Sequence, residues 1–219
     1  MSMLAADTPV GRPSLALGED ECATVVDLLC RGARSAAALA RPGMLEVPLT
    51  RLVRKCMRRV KAERRIGGVQ IRGEHEIDDM STDDPNVLGR IDLTLQFLHQ
   101  FDDEDAYVAI EAKRVGAGEA TLNRRYVTEG VERFAQGRYS PGHPWAFMLA
   151  YVLREPVARP IAGINGHLVR GYGEAARMAP SERHPDALAV QRSKVMQNLT
   201  PAHELGLIHV FVDMTAAAP

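Results

Sequence analysis

An aspartate at position 92 is followed nineteen residues later by Glu111, and two residues after that by Lys113. Asp92 lies in the stretch 90–97, where Ile91, Leu93, Leu95 and Phe97 alternate with Asp92, Thr94 and Gln96. That period of two predicts a strand with one apolar face. The stretch 107–114 predicts the next strand, and Glu111 and Lys113, two apart, fall on one side of it. If the strands pair as neighbours with Ile91-Leu93-Leu95 and Val108-Ile110-Ala112 on the same face, Asp92 comes to the side of Glu111 and Lys113. Two acids at close range raise each other's pKa unless a cation intervenes. Mg²⁺, content with few protein oxygens and several waters, is the simplest such cation, and Mn²⁺ can substitute. With Lys113 to orient or deprotonate a water and to balance charge growing on phosphorus, the set suits phosphodiester hydrolysis. The plain alternative is an edge-strand charge beside a same-face ion pair of little energetic value. Chemistry is favoured by the combination of apolar opposite faces, an acid in the preceding strand and a helix directly after.

The elements that must hold these residues are legible in outline. Residues 19–39 predict a helix, with Val25, Val26, Leu28 and Leu29 recurring among polar positions, and Pro42-Gly43 breaks it. A second helix is expected over 44–65, its stripe formed by Leu45, Leu49, Leu52, Val53, Met57 and Val60, with Gly67-Gly68 ending it. Alternation over 69–77 predicts a first strand, with Val69, Ile71 and Ile77 on one side. Residues 78–85 read as a loop, so three strands follow one another as an antiparallel meander. A helix is expected over 119–138, a strand buried on both faces over 145–153, a helix over 160–172 and a last strand over 207–214. Residues 181–203 are polar and give no clear period. The order makes one mixed α/β domain over 19–219, preceded by an extended arm over 1–18.

Composition narrows the class. The 219 residues carry 27 Lys+Arg against 28 Asp+Glu, a formal charge of −1, so bulk charge does not announce a nucleic-acid partner. The distribution is uneven: nine basic residues against Glu63 alone over 51–72, then eleven acids against Arg90 alone over 74–105. The basic stretch reads either as the solvated face of a helix or as a footprint for phosphates. The apolar run at 145–153 is too short to span a bilayer, no signal-peptide pattern is present, and Cys22, Cys30 and Cys56 form no C-x-x-C pair. A cytoplasmic protein without a membrane partner is expected. The seven histidines show no zinc-hydrolase spacing and are expected at the surface or in caps, while Gly116-Ala117-Gly118 reads as a turn.

Ile91-Asp92 followed by Ile110-Glu111-Ala112-Lys113, between an N-terminal helix and a later helix and strand, resembles the PD-(D/E)xK nuclease superfamily. The resemblance implies a restriction-endonuclease-like mixed central sheet flanked by helices. It implies Asp92 and Glu111 as metal ligands, Lys113 as the catalytic lysine and Mg²⁺ as cofactor, with a further acid from the preceding helix. Glu46 is the candidate for that acid and Glu74 its rival. The residue before Asp92 is Ile91 rather than proline. Gln136-Gly137-Arg138-Tyr139 is one residue short of the Q-x-x-x-Y of the RecB-like branch, so the chain is not assigned to that branch. The expected activity is a Mg²⁺-dependent endonuclease, on DNA rather than RNA, by analogy an effector or restriction subunit of a bacterial defence system. Arg54, Lys55, Arg58, Arg59 and Arg138 are the expected nucleic-acid contacts, and Tyr126, Arg133 and Gln136 are further candidates to touch phosphate or a partner. The near-neutral total charge implies a homodimer or larger assembly. The alternative is a catalytically silent subunit of the same fold that binds nucleic acid or protein.

Overall fold

The computed structural model describes residues 15–78, 87–181 and 189–219. The arm expected over 1–18, apart from its last four residues, and the loop expected over 78–85, apart from Asp78, lie outside them.

Helix α1 (Glu19–Ala37) begins where three acids crowd its first turn and Glu21 accepts the Gly18 N–H at 2.9 Å, a favourable placement at the positive end of the helix dipole. Helix α2 (Glu46–Glu63) buries Leu49, Val53, Cys56, Met57 and Val60, the expected stripe, and carries Pro48 in its first turn, where no backbone N–H is needed. Both helices pack on one face of a seven-stranded mixed sheet of order β1-β4-β5-β6-β9-β8-β7. Its strands are β1 (Val69–Arg72), β4 (Leu93–Phe97), β5 (Val108–Val115), β6 (Trp145–Val152), β7 (Ala179–Pro180), β8 (Val190–Gln197) and β9 (His203–Asp213). The pairs β5–β6 and β6–β9 are parallel and the others antiparallel. The opposite face is covered by a helical segment made of α3 (Ala120–Arg125), a π-helical turn (Tyr126–Val131) and α4 (Glu132–Ala135), and by α5 (Ala158–Tyr172). The mixed α/β architecture with a large sheet between helical layers is therefore as expected, and β6 is buried on both faces.

Two strands expected to be continuous are broken. The first ends at Arg72 and resumes as β2 (His75–Asp78), and the second is divided at Asp92 into β3 (Val87–Ile91) and β4. Strands β2 and β3 form a separate antiparallel hairpin, while β1, β4 and β5 make the meander. Ile91 consequently packs with the helical segment on the far face and Leu93 with α1 and α2, so the two are not on one face. Ile77 is likewise turned away from Val69 and Ile71. The physical cause is the hairpin itself: β2 and β3 satisfy their backbone groups on each other, so the chain leaves the main sheet after Arg72 and re-enters it at Leu93. Strand β8, in the stretch without a clear period, pairs with β9 along its whole length.

Candidate active site

Asp92 sits at the re-entry point. Leu93 pairs with Ile110 and Thr94 with Ala109, so continuing the antiparallel register one rung sets Asp92 opposite Glu111. Its Oδ2 accepts the Ala112 N–H at 2.9 Å, which holds the carboxylate against β5 although the chain kinks there. Glu111 and Lys113 project from β5 on the face away from α1 and α2, as their spacing predicts, and both are buried. Gly130 in the π-helical turn lets the helical segment close over this face. A side chain there would run into Met148 Cε at 2.6 Å.

The charges are tightly linked. Lys113 Nζ donates to Glu111 Oε1 at 2.7 Å, Glu46 Oε1 at 3.1 Å and the Ala112 carbonyl at 2.9 Å. Glu46 Oε2 accepts the Arg114 N–H at 3.1 Å, so the start of α2 is tied to β5 on both carboxylate oxygens. Glu111 Oε1 takes a second cation, Arg133 Nη1 at 2.9 Å, while Glu111 Oε2 is buried with no hydrogen-bond partner. Burial pushes the Glu111 carboxyl up to about 8, with the nearby Asp92 charge adding to the rise and Lys113 and Arg133 opposing it. Burial likewise raises Asp92, against the pull of Lys113 and the Ala112 N–H. Burial works against the Lys113 ammonium, but Glu111, Glu46 and Asp92 outweigh it and hold its pKa above the ordinary lysine value. Lys113 is therefore a persistent cation in this arrangement, not a base.

Of the residues expected here, Asp92, Glu111, Lys113 and Glu46 are brought together. Glu46 reaches the site as the partner of Lys113 and Arg114. Glu74 lies beside Asp92 in a narrow crevice with Val47, Thr50, Arg51 and Arg54, but it pairs with Arg51 at 3.1 Å and Arg90 at 3.4 Å. Among the described residues no group of three His, Cys, Asp or Glu side chains surrounds a common point. The donor set still suits a hard, partly hydrated cation: two neighbouring carboxylates, one with an orphaned buried oxygen, in a pocket whose desolvation disfavours both as bare anions.

The basic residues of α2 line concave surface that continues away from this crevice. Arg51, Arg54, Lys55, Arg58 and Arg59 border one concavity of about 610 Å³. Arg58, Lys61, Arg65 and Arg72 border the next, of about 630 Å³. The two share Arg58 and Ala62, and the first shares Arg51 and Arg54 with the crevice that holds Asp92. On the other side of Val47 a third concavity of about 270 Å³ is lined by Glu46, Lys113, Arg114 and Arg125. The Arg54 guanidinium lies in the space that a side chain at Gly73 would fill. Arg58 donates twice to the Ile71 carbonyl, at 3.0 and 2.6 Å, and so also braces β1. Arg138 is exposed at the end of α4, in the helical layer across the sheet from α2, and is not part of this surface.

Other expectations are corrected by burial. Tyr126 is fully buried and bonded to His209, so it reaches no ligand, whereas Gln136 is exposed and donates to Glu132 one turn earlier. His143 and His209 are interior rather than surface or capping residues. Cys22 and Cys56 are buried, as expected, with Cys30 half-buried. Gly116-Ala117-Gly118 forms the turn after β5, fastened by Asn123, which accepts the Gly116 N–H at 3.1 Å and donates to its carbonyl at 2.9 Å. The residue whose contribution the spacing did not show is Tyr139, six beyond Arg133. Its hydroxyl accepts Arg133 Nη1 at 2.8 Å and the Arg90 N–H at 3.1 Å, and donates to the Arg90 carbonyl at 2.6 Å. The shortened Gln136…Tyr139 motif was the available signal for it.

No protein-family model, no curated protein and no solved structure matches this chain. Among the described residues no helix is long and apolar enough to cross a membrane.

Proposed function

We propose that the protein is a divalent-cation-dependent nuclease that hydrolyses phosphodiester bonds, with a PD-(D/E)xK-like core formed by Asp92, Glu111 and Lys113. The observation that carries the reading is the Asp92 carboxylate held on the Ala112 N–H, beside Glu111 in β5, with a buried lysine bonded to that glutamate and one glutamate oxygen left without a donor. A bound Mg²⁺ or Mn²⁺ would be held by Asp92 and Glu111 and would supply Lewis acidity and an activated water. Lys113 would orient the attacking water and offset charge growing on the phosphate oxygens. Glu46, the second carboxylate on the Lys113 ammonium, helps to hold it in place. The concave basic surface along α2, roughly 27 Å long at 1.5 Å per residue, supports a polynucleotide substrate whose phosphates Arg51, Arg54, Lys55 and Arg59 would meet. DNA is the proposed substrate, and a second copy or a larger assembly would supply the rest of the binding surface.

The test is plasmid incubated with protein and Mg²⁺ or Mn²⁺. Nicking or linearisation is expected, and it should vanish with EDTA and with Lys113→Ala or Glu111→Ala. Cleavage that survives either substitution would dismiss the assigned site. One observation favours the second reading, a silent binding subunit: Lys113 and Arg133 already occupy one oxygen of Glu111, and Lys113 is also paired with Glu46. Duplex binding without any cation-dependent heat or thermal shift would support that reading instead.

A further inference from the structure

Arg133 supplies a cation that the strand pair itself does not carry. Glu111, wholly buried, holds Lys113 and Arg133 on the same oxygen, at 2.7 and 2.9 Å. The two cations differ in freedom. Lys113 is enclosed, its side chain 9% exposed, and is tied to Glu111, Glu46 and the Ala112 carbonyl. Arg133 enters from the helical layer with its side chain 38% exposed. Its second anchor is Tyr139, whose hydroxyl it meets at 2.8 Å and whose ring lies 5.4 Å below the guanidinium carbon. Withdrawing Lys113 would strand a buried ammonium. Withdrawing Arg133 would not, because solvent and the Tyr139 face and hydroxyl remain to it.

The charge balance points the same way. With Asp92, Glu111, Glu46, Lys113 and Arg133 all ionised, the site carries one net negative charge. Without Arg133 it carries two, the charge a divalent ion neutralises. We propose that Arg133 is a built-in counter-cation that competes with the divalent ion for Glu111, leaves that carboxylate when the ion binds, and stays beside the site on Tyr139. The inference rests on the cation-dependent reading above and adds a positioning residue to it. The pivot is well fixed. Tyr139 is bound to both backbone polar groups of Arg90, two residues before Asp92, and its ring packs so closely on Gly89 that a side chain there would meet it at 2.7 Å. Released from Glu111, the guanidinium fork keeps donors free for a phosphate oxygen, which replaces the carboxylate as its acceptor.

The experiment is calorimetric titration of the folded protein with Mn²⁺ alone, without nucleic acid, at fixed pH and salt. Arg133→Gln is expected to bind Mn²⁺ about tenfold more tightly than the wild type, the effect of removing one opposing charge within hydrogen-bond reach. Glu111→Gln should lose the binding, which locates it. Arg133→Met keeps the apolar stem without the charge and is expected to tighten Mn²⁺ binding to a similar extent, covering the case in which the glutamine variant does not fold. A purely structural role for Arg133 would leave Mn²⁺ affinity unchanged or weaken it, and either result overturns the proposal. If the wild type binds and both Arg133 variants bind equally well, the counter-cation falls while the nuclease reading stands. If no form binds Mn²⁺, both fall.

Discussion

Two buried polar groups lie beneath the same helical segment and have opposite characters. Tyr126, His209 and Ser193 form a chain in which the tyrosine hydroxyl meets His209 Nδ1 at 2.8 Å and the serine hydroxyl meets Nε2 at 2.8 Å. A neutral imidazole offers one donor and one acceptor, and both are used. Burial holds His209 down at about 3, so the chain stays uncharged. The Asp92–Glu111–Lys113–Arg133 group is charged, keeps one glutamate oxygen without a donor, and reaches solvent through a half-exposed arginine. Burial of polar side chains therefore does not by itself mark a site. A satisfied, neutral and sealed network specifies packing, whereas an incomplete and charged one with an exit is arranged to receive something.

The largest effect that separates the two is on cleavage. Lys113→Ala should lower the initial rate of plasmid nicking by on the order of 10³-fold while far-ultraviolet circular dichroism remains native. Tyr126→Phe should leave that rate within about twofold, because among the described residues no bond links His209 to the charged group. A large loss of rate in the tyrosine variant would join the groups into one machine and break the distinction.

Stability should respond the other way. Tyr126→Phe leaves a His209 nitrogen unpaired in a fully buried position and is expected to cost about 2 kcal/mol in urea unfolding. The pH dependence should also have opposite signs. Glu111 has its folded pKa raised, to about 8, so the folded state binds more protons than the unfolded one and stability falls as pH rises from the ordinary carboxyl range through 8. His209 has its folded pKa depressed, to about 3, so the unfolded state binds more protons and stability falls as pH drops from 6.5 towards 3. Melting temperatures across pH 4–9 should show the alkaline loss shrink in Glu111→Gln and the acid loss persist there. An unchanged alkaline slope in that variant would remove the argument that Glu111 is held as a costly anion. The smallest effect is Ser193→Ala, about 1 kcal/mol with unchanged cleavage. A selective loss of rate in that variant would instead make Ser193, His209 and Tyr126 a relay.

Much of the fold could be read before any coordinates. The stripes of α1 and α2 and the doubly buried β6 follow from apolar pattern, and the pairing of β4 with β5 from the short turn between two successive strands, because their neighbours are other parts of the same core. The breaks at Gly73 and Asp92 do not, because alternation continues across them and only the β2–β3 pairing diverts the chain. Strand β8 was hidden for a different reason. Gln191, Ser193 and Gln197 are buried polar residues whose place inside depends on distant partners, such as the Phe134 and Ser140 carbonyls that accept from Gln197 at 3.1 Å.

The sequence by itself determined that Glu111 and Lys113 share a face, since two residues along a strand always do, and that α2 carries a row of cations. Only the tertiary structure decided which charges pair. It brought Glu46 across from another helix to Lys113, gave Glu74 to Arg51 and Arg90, and lowered Arg133 onto Glu111 with Tyr139 as its support. Local periodicity sets the direction of a side chain along its own element, but the partner of a charge is fixed by which elements the core packs together, and here those partners lie 67 and 22 residues apart in the chain.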